Sequence, residues 1–367
     1  MTATLEQPVS PTFAVPHVIE LEITGKCQLA CDHCLSDSSP EIPHGVMART
    51  VPGGLGTSYA TMMLDDWRNV IDQAAELGIV TVQLIGGEPT TYPGWADLVD
   101  HALSRGRLVE VFTNLFHVTG KGWAVFSRPG VSLATSYYSP NSGEHEQVTR
   151  TSGSHERTRA NIVEALRRGI PIRAGVVGVH DGQLEQLAVQ ELHALGVERV
   201  TLDYARGVGR AAKAAPTVDQ LCGNCGRGRL AVMPDGSISP CVLGRWMQPG
   251  HVKQAGGLRA VLESPEWAAA VASVPERRTA LGACPPNDSN DCNPATTEAC
   301  NPAYGVAFDA LTGCPPNDSN DCSPANSPAC NPAYGVAFVP ATLGSCAPDD
   351  SQRCGPDNPA PCNPVFG

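Results

Sequence analysis

No run of 18 apolar residues occurs in the 367-residue chain, so no segment is built to cross a membrane as a helix. Met1 to Val15 has no basic stretch leading into an apolar one; a secretory signal is therefore not expected, and a cytoplasmic location is. Basic residues are scarce: 25 Lys and Arg stand against 37 Asp and Glu, for a net charge of −12. Contacts to phosphate backbones need clustered cations, so no nucleic-acid partner is expected. What the chain does have is cysteine, 15 residues of it. In an odd number and without a signal segment, these argue for metal ligation rather than a disulfide framework.

Cys27, Cys31 and Cys34 form a C-x3-C-x2-C motif directly after the apolar run Val18 to Thr24. Three thiolates can hold three irons of a [4Fe–4S] cluster and leave the fourth iron open to a ligand. The same three cysteines with His33 could also hold zinc. A second motif follows a buried-strand pattern over Val80 to Ile85, which runs into Gly86-Gly87-Glu88-Pro89. Glycines at a strand end permit backbone conformations and close approaches that a Cβ blocks, although such a pair is often only a tight turn. Glu88 offers a carboxylate, and Pro89 stiffens the exit.

Together the two motifs resemble those of the radical S-adenosylmethionine (SAM) enzymes. The resemblance implies that Cys27, Cys31 and Cys34 bind the cluster and that SAM chelates its open iron. It also implies that Gly86, Gly87, Glu88 and Pro89 line the site of the methionine amino group. Zinc becomes the weaker reading. Phe112-Thr113-Asn114 looks like the family's strand end near the adenosine, so Asn114 is a candidate contact; a plain polar strand end would look the same. The block from Thr135 to Ser139, with His145, Arg150 and Gly153 beyond it, is similar to one in peptide-modifying members. There, a serine and an arginine contact the SAM ribose or carboxylate, which nominates Ser136 and Arg150. Tyr137-Tyr138-Ser139 replaces the usual Leu-Asp-Gly. His33 takes a place that is commonly aromatic and could stack near the adenine or be merely structural.

Strand patterns over 17–24, 79–85, 108–113, 131–137, 171–178 and 199–204 alternate with helical ones. Among the latter are Leu64–Leu77, Trp95–Ser104 and His155–Arg168. Six β-then-α units predict an α/β fold with a parallel sheet. The resemblance makes this a partial (β/α)6 barrel over 17–215, behind an N-terminal extension, 1–16. In such barrels the chemistry lies at the C-terminal strand ends, where both motifs fall.

A second cysteine group begins at Cys222 and Cys225, passes an Asp235-Gly236 hairpin signal, and returns to Cys241. A zinc-ribbon half-site has the same look. The Gly236-x4-Cys241 spacing resembles the SPASM and twitch extensions of radical SAM enzymes, as does the turn and short helix carrying Leu258, Val261, Leu262 and Trp267. This implies an auxiliary [4Fe–4S] cluster in a domain over 216–283, held by Cys222, Cys225, Cys241 and a fourth cysteine from farther on.

From Cys284 the composition changes. Residues 284–367 carry nine acidic residues and one Arg, 15 of the 32 prolines and nine of the 15 cysteines. The cysteines repeat as 284/292/300, 314/322/330 and 346/354/362, with seven residues between neighbours. Proline steps predict an irregular chain of turns that cannot pack a core unaided. Cys284 is the candidate fourth ligand. Metal binding by every copy, or a fused substrate, are the other readings of this tail.

The resemblance implies reductive SAM cleavage and, within the family, maturation of a ribosomally made precursor peptide by a cross-link or related oxidation. A reductant such as ferredoxin or flavodoxin is then required. The first strand starts near His17, so no fused leader-binding domain is expected, and a separate recognition protein or direct leader binding would serve. A small-molecule dehydrogenase or epimerase is the alternative enzyme; an electron-transfer or metal-storage protein is the alternative of another class.

Overall fold

The computed structural model describes residues 13–43, 46–51, 54–59, 62–276, 330–331 and 336–337. The chain divides into two compact units, residues 1–278 with 285–287, and residues 279–284 with 288–367. The second unit contributes to the described residues only an antiparallel pair, Cys330–Asn331 with Val336–Ala337. The Cys284 ligand assignment and the other tail expectations lie outside the described residues.

The first unit is built on a nine-stranded sheet. Six strands run parallel in chain order: β1 (Val18–Glu22), β4 (Thr81–Ile85), β5 (Leu108–Phe112), β6 (Val131–Tyr137), β7 (Ile172–Gly178) and β8 (Arg199–Tyr204). All six lie within the sequence-predicted ranges. Between β1 and β4 lies an antiparallel pair that no sequence pattern marked, β2 (Val46–Val51) with β3 (Gly54–Tyr59). Eight α-helices are described, from α1 (Leu64–Leu77) through α2 (Trp95–Ser104), α3 (Gly120–Phe126), α4 (Ser142–Thr149), α5 (Ser154–Arg167) and α6 (Glu185–Leu195) to α7 (Gly257–Leu262) and α8 (Pro265–Ser273). Among the described residues no helix is long and apolar enough to cross a membrane.

Helix α1 shows how sequence becomes packing. Trp67, Val70, Ile71, Ala74 and Leu77 recur at helical spacing and are the residues it buries. Gly78 stops it in the left-handed conformation (φ +84°), its N–H bonded to the carbonyls of Ala74 and Ala75. The buried stripe meets one face of the sheet, where Ile19, Leu21, Val82, Leu84, Val109 and Val111 alternate with residues of the other face.

That other face, the inside of the partial barrel, is polar. Glu20 pairs with Arg229 (3.1 Å), Glu22 with Arg245 (2.8 Å) and Glu110 with Arg173 (2.7 Å), all largely buried. Strands of parallel sheets usually read as continuous apolar runs. Here Val18-Ile19-Glu20-Leu21-Glu22 alternates because its second face supports charge chemistry. Removing one partner of such a pair costs about 3–5 kcal/mol, since it strands a buried charge.

The hairpin expected after residue 216 does form, as β9 (Arg229–Val232) and β10 (Ser237–Ser239), followed by β11 (Gly250–His251). It does not start a separate sheet. β9 runs parallel to β1, in register from Val18 opposite Arg229, and so extends the barrel sheet past its first strand.

Candidate active site

Successive strands deliver their C-terminal ends to one cavity of about 220 Å³. Cys27, Cys31 and Cys34 line it from the loop after β1, Gly86 and Gly87 from the end of β4, and Asn114 from beyond β5. Ser136 and Tyr138 arrive from β6, Asp203 and Arg206 from β8, and Val242 from the turn after β10. The sequence-predicted motifs, more than 80 residues apart for Cys27 and Asn114, thus meet.

Among the described residues no three ligating side chains surround a position for a single metal ion. The three thiols instead share a cavity wall, and the donor set suits a larger group, an iron–sulfur cluster with one iron left open to the cavity. Amide donors already face two of the sulfurs: Leu29 N–H donates to Cys27 Sγ (3.4 Å) and Ser38 N–H to Cys34 Sγ (3.2 Å). The Asn114 Nδ2 group reaches Cys27 Sγ at 3.5 Å. Burial raises the Cys27 thiol well above its ordinary value, and pushes Cys31 up to about 12. A bound iron centre would favour the thiolate forms of these cysteines.

The glycine pair is required by the protein's own backbone as well as facing the cavity. Gly86 sits at φ +147°, and a Cβ there would lie 2.4 Å from the Thr24 carbonyl oxygen; one on Gly87 would lie 2.3 Å from that of Lys26. Gly87 N–H donates to Thr24 O and Glu88 N–H to Lys26 O, both at 2.8 Å, which docks the turn on the approach to Cys27.

Glu88 is buried at the end of the same turn, close enough to Cys27 that its charge adds to burial in raising that thiol. Oε1 accepts from Thr90 N, Thr90 Oγ1 and Thr113 Oγ1 at 3.1, 2.7 and 2.9 Å, and Oε2 from Asn114 N at 2.8 Å. Burial raises its pKa against these bonds. Glu88 therefore ties the end of β4 to the end of β5 and sets the position of Asn114. Pro89 opens a short 3-10 turn and is buried. Arg150 ends α4 in the left-handed conformation and pairs with Asp32 of the thiol loop.

Further side chains line the cavity. Tyr138, fully buried in the block that departs from Leu-Asp-Gly, places its hydroxyl against the Cys31 thiol and the Ser136 hydroxyl, and burial raises its pKa strongly. His33 packs edge-on to Tyr138 (5.2 Å between centroids), and Tyr138 edge-on to His145 (5.1 Å). Burial lowers His33 to about 4 and His145 to about 3, so both imidazoles are neutral near pH 7. The departure from Leu-Asp-Gly was the one sequence signal for Tyr138; Asp203 and Arg206 had none.

The second cysteine group is assembled too. Cys225 and Cys241 are buried with their sulfurs 2.8 Å apart, packed with Leu221 and Val274. Cys222 is drawn down to about 6, first by the hydrogen bond from Cys225, then by the Asn224 backbone N–H and by Arg206 and Arg229. Arg206 is held by Asp203 at 2.6 Å, and both belong to the wall of the first cavity.

Residues 21–190 match the family described as Radical SAM superfamily. The chain is 25% identical over 224 residues to a PqqA peptide cyclase of Bradyrhizobium diazoefficiens, covering 59% of this chain and 54% of that one. It is 21% identical over 270 residues to the subtilosin biosynthesis protein AlbA of Bacillus subtilis, covering 64% and 56%. The chain spans about half the length of these curated relatives. Its fold is similar to that of Streptococcus suis SuiB bound to precursor peptide SuiA, with TM-score 0.54, 14% identity and coverage of 75% and 73%. It is also similar to that of anSMEcpe with bound AdoMet, with TM-score 0.52, 10% identity and coverage of 70% and 82%. With the thiol loop, the glycine turn and six parallel strand ends gathered round one cavity, this chain carries a radical SAM domain.

Proposed function

We propose that this protein is an enzyme that reductively cleaves SAM and uses the resulting radical to modify a ribosomally synthesised precursor peptide. The observation that carries the reading is the convergence of Cys27, Cys31 and Cys34 with Gly86, Gly87, Asn114 and Ser136 on one cavity. When bound, the cluster and SAM supply one-electron cleavage of a sulfonium and abstraction of hydrogen from an unactivated carbon. The protein's part is to bind and orient. Cys27, Cys31 and Cys34 would hold the cluster, Asn114 is set by Glu88, and Ser136 and Tyr138 face the same space. Neutral His33 and His145 add no charge to it.

Cys222, Cys225 and Cys241 would hold an auxiliary [4Fe–4S] cluster, with a fourth ligand from the tail, Cys284 being the candidate. Such a cluster suits a reaction in which the substrate must lose an electron after losing hydrogen. The peptide substrate is supported by relatives named as a peptide cyclase and a bacteriocin biosynthesis protein. An electron donor of the ferredoxin or flavodoxin type is needed, and leader recognition falls to this chain or to a separate protein.

The test is anaerobic turnover with reductant, SAM and a short precursor peptide encoded beside this chain, read by mass spectrometry. Loss of hydrogen mass from the precursor, matched by 5′-deoxyadenosine, is expected. Cleavage of SAM with every such peptide unchanged would overturn the peptide assignment and point to a small-molecule substrate.

A further inference from the structure

From Cys31 to Ser38 the chain forms neither helix nor strand, yet Ser36 and Ser38 are buried. Buried irregular backbone must find hydrogen-bond partners outside itself. Two arginines, each more than 170 residues away in sequence, provide them. Arg210 lies in the 3-10 turn Gly209–Ala211, after β8. Its Nη1 donates to the Cys31 carbonyl (2.5 Å), its Nη2 to the Ser38 carbonyl (2.7 Å) and its Nε to the Asp37 carboxylate (2.7 Å). Its backbone N–H donates to the Cys34 carbonyl at 2.9 Å. Gly209 makes this approach possible: it sits at φ +63°, and a Cβ on it would lie 2.2 Å from the Cys34 oxygen. Asp37 is itself left-handed (φ +50°), uncommon without glycine, and its carboxylate is fixed by Arg210.

Arg245 acts from the hairpin. It is 5% exposed, donates Nη1 to the Leu35 carbonyl (2.9 Å), and points Nη2 at both oxygens of Glu22 on β1 (2.9 and 2.8 Å). Four carbonyls of the loop are thus engaged by two residues that no motif includes. A guanidinium fork can serve two or three acceptors at fixed angles, which an ammonium cannot.

We propose that Arg210 and Arg245 are positioning residues that hold the 31–38 loop in the shape that receives the cluster, Arg245 also tying that loop to the second thiol group four residues upstream at Cys241. Neither touches the reacting atoms. The proposal rests on the radical-cluster reading above and deepens it: the loop is organised by the ends of β8 and β10 before metal arrives.

The test uses the full chain carrying Arg210→Gln or Arg210→Lys, with Arg245→Lys as an independent second variant. In the metal-free protein, Arg210→Gln should speed amide exchange at 31–38 by about tenfold or more while β1 and β4 amides stay at wild-type rates. After anaerobic reconstitution, iron at Cys27, Cys31 and Cys34 should be lost to a chelator about 10–100-fold more readily. Arg210→Lys should fall between, since it keeps the charge and loses the fork. Arg245→Lys should loosen Leu35 and, through Glu22, leave β1 paired. Wild-type exchange and wild-type iron loss in Arg210→Gln would overturn the proposal; so would a uniform rise in exchange across β1, β4 and the loop, which marks general loosening. If the wild type itself takes up no iron dependent on the three loop cysteines, the radical-cluster reading falls, and this proposal with it. If it does, and the arginine variants match it, only the positioning role falls.

Discussion

Each side of the first barrel strand gathers three cysteines, and the two groups are built differently. Cys27, Cys31 and Cys34 occupy an irregular loop, line a cavity, and owe their arrangement to arginines and strand ends from elsewhere in the chain. Cys225 and Cys241 are packed among apolar side chains around a hairpin with their sulfurs in contact, and half-buried Cys222 lies beside them near Arg206. The first arrangement leaves room beside the thiols for a ligand and substrate. The second buries two of its three thiols in protein. The contrast teaches that two groups of three cysteines differ in cavity access, which only the first has among the described residues.

Breaking the second site while sparing the first gives the largest expected separation. Cys241→Ala should remove auxiliary iron and abolish modified peptide, yet leave reductive SAM cleavage running without product. Loss of SAM cleavage equal to the loss of product would merge the two sites into one functional unit.

Glu88→Gln sharpens the account of the first site with a smaller effect. The carboxylate accepts four hydrogen bonds, and an amide cannot accept them all, so thermal or denaturant unfolding should show a loss of about 1–3 kcal/mol. Weakened SAM binding should follow from displacement of Asn114, and Asn114→Ala should reproduce it. If Glu88→Gln weakened SAM binding with stability unchanged, the carboxylate would be a direct SAM ligand after all.

The smallest effect concerns the buried imidazoles. His145 is held near 3 in the folded chain, against about 6.5 when unfolded. Above pH 6.5 it is neutral in both states and adds no pH dependence. Below that, the unfolded chain takes up a proton that the folded chain refuses, so stability falls as pH drops toward 3. His145→Phe should flatten the fall in denaturant midpoint between pH 6.5 and 4, and an unchanged slope would show that His145 is not buried as a neutral ring.

The fold was largely legible because its signals are local. Leu64 to Leu77 shows its buried stripe and its Gly78 stop in sequence, and the strand runs from Val18 to Tyr204 carry their own apolar patterns. The thiol triplet and Gly86-Gly87 were legible because spacing and missing Cβ atoms are sequence facts. Roles set by distant partners were not. The hydrogen bonds of Glu88 to Thr113 and Asn114, and the pairing of Arg150 with Asp32, join segments far apart in the chain. Arg210 and Arg245 have no local signature, because the carbonyls they serve lie far away in sequence. The pairing of β9 with β1, which carries the hairpin into the barrel sheet, is equally nonlocal.

The central claim is that Cys27, Cys31 and Cys34 hold the group that cleaves SAM. Its most direct test is 5′-deoxyadenosine formed per chain under anaerobic reducing conditions, in the wild type and in a variant with all three changed to Ala. The account predicts formation in the wild type and none in the variant, with iron dependent on Cys222, Cys225 and Cys241 still present in both. Continued 5′-deoxyadenosine formation by the triple variant would contradict it.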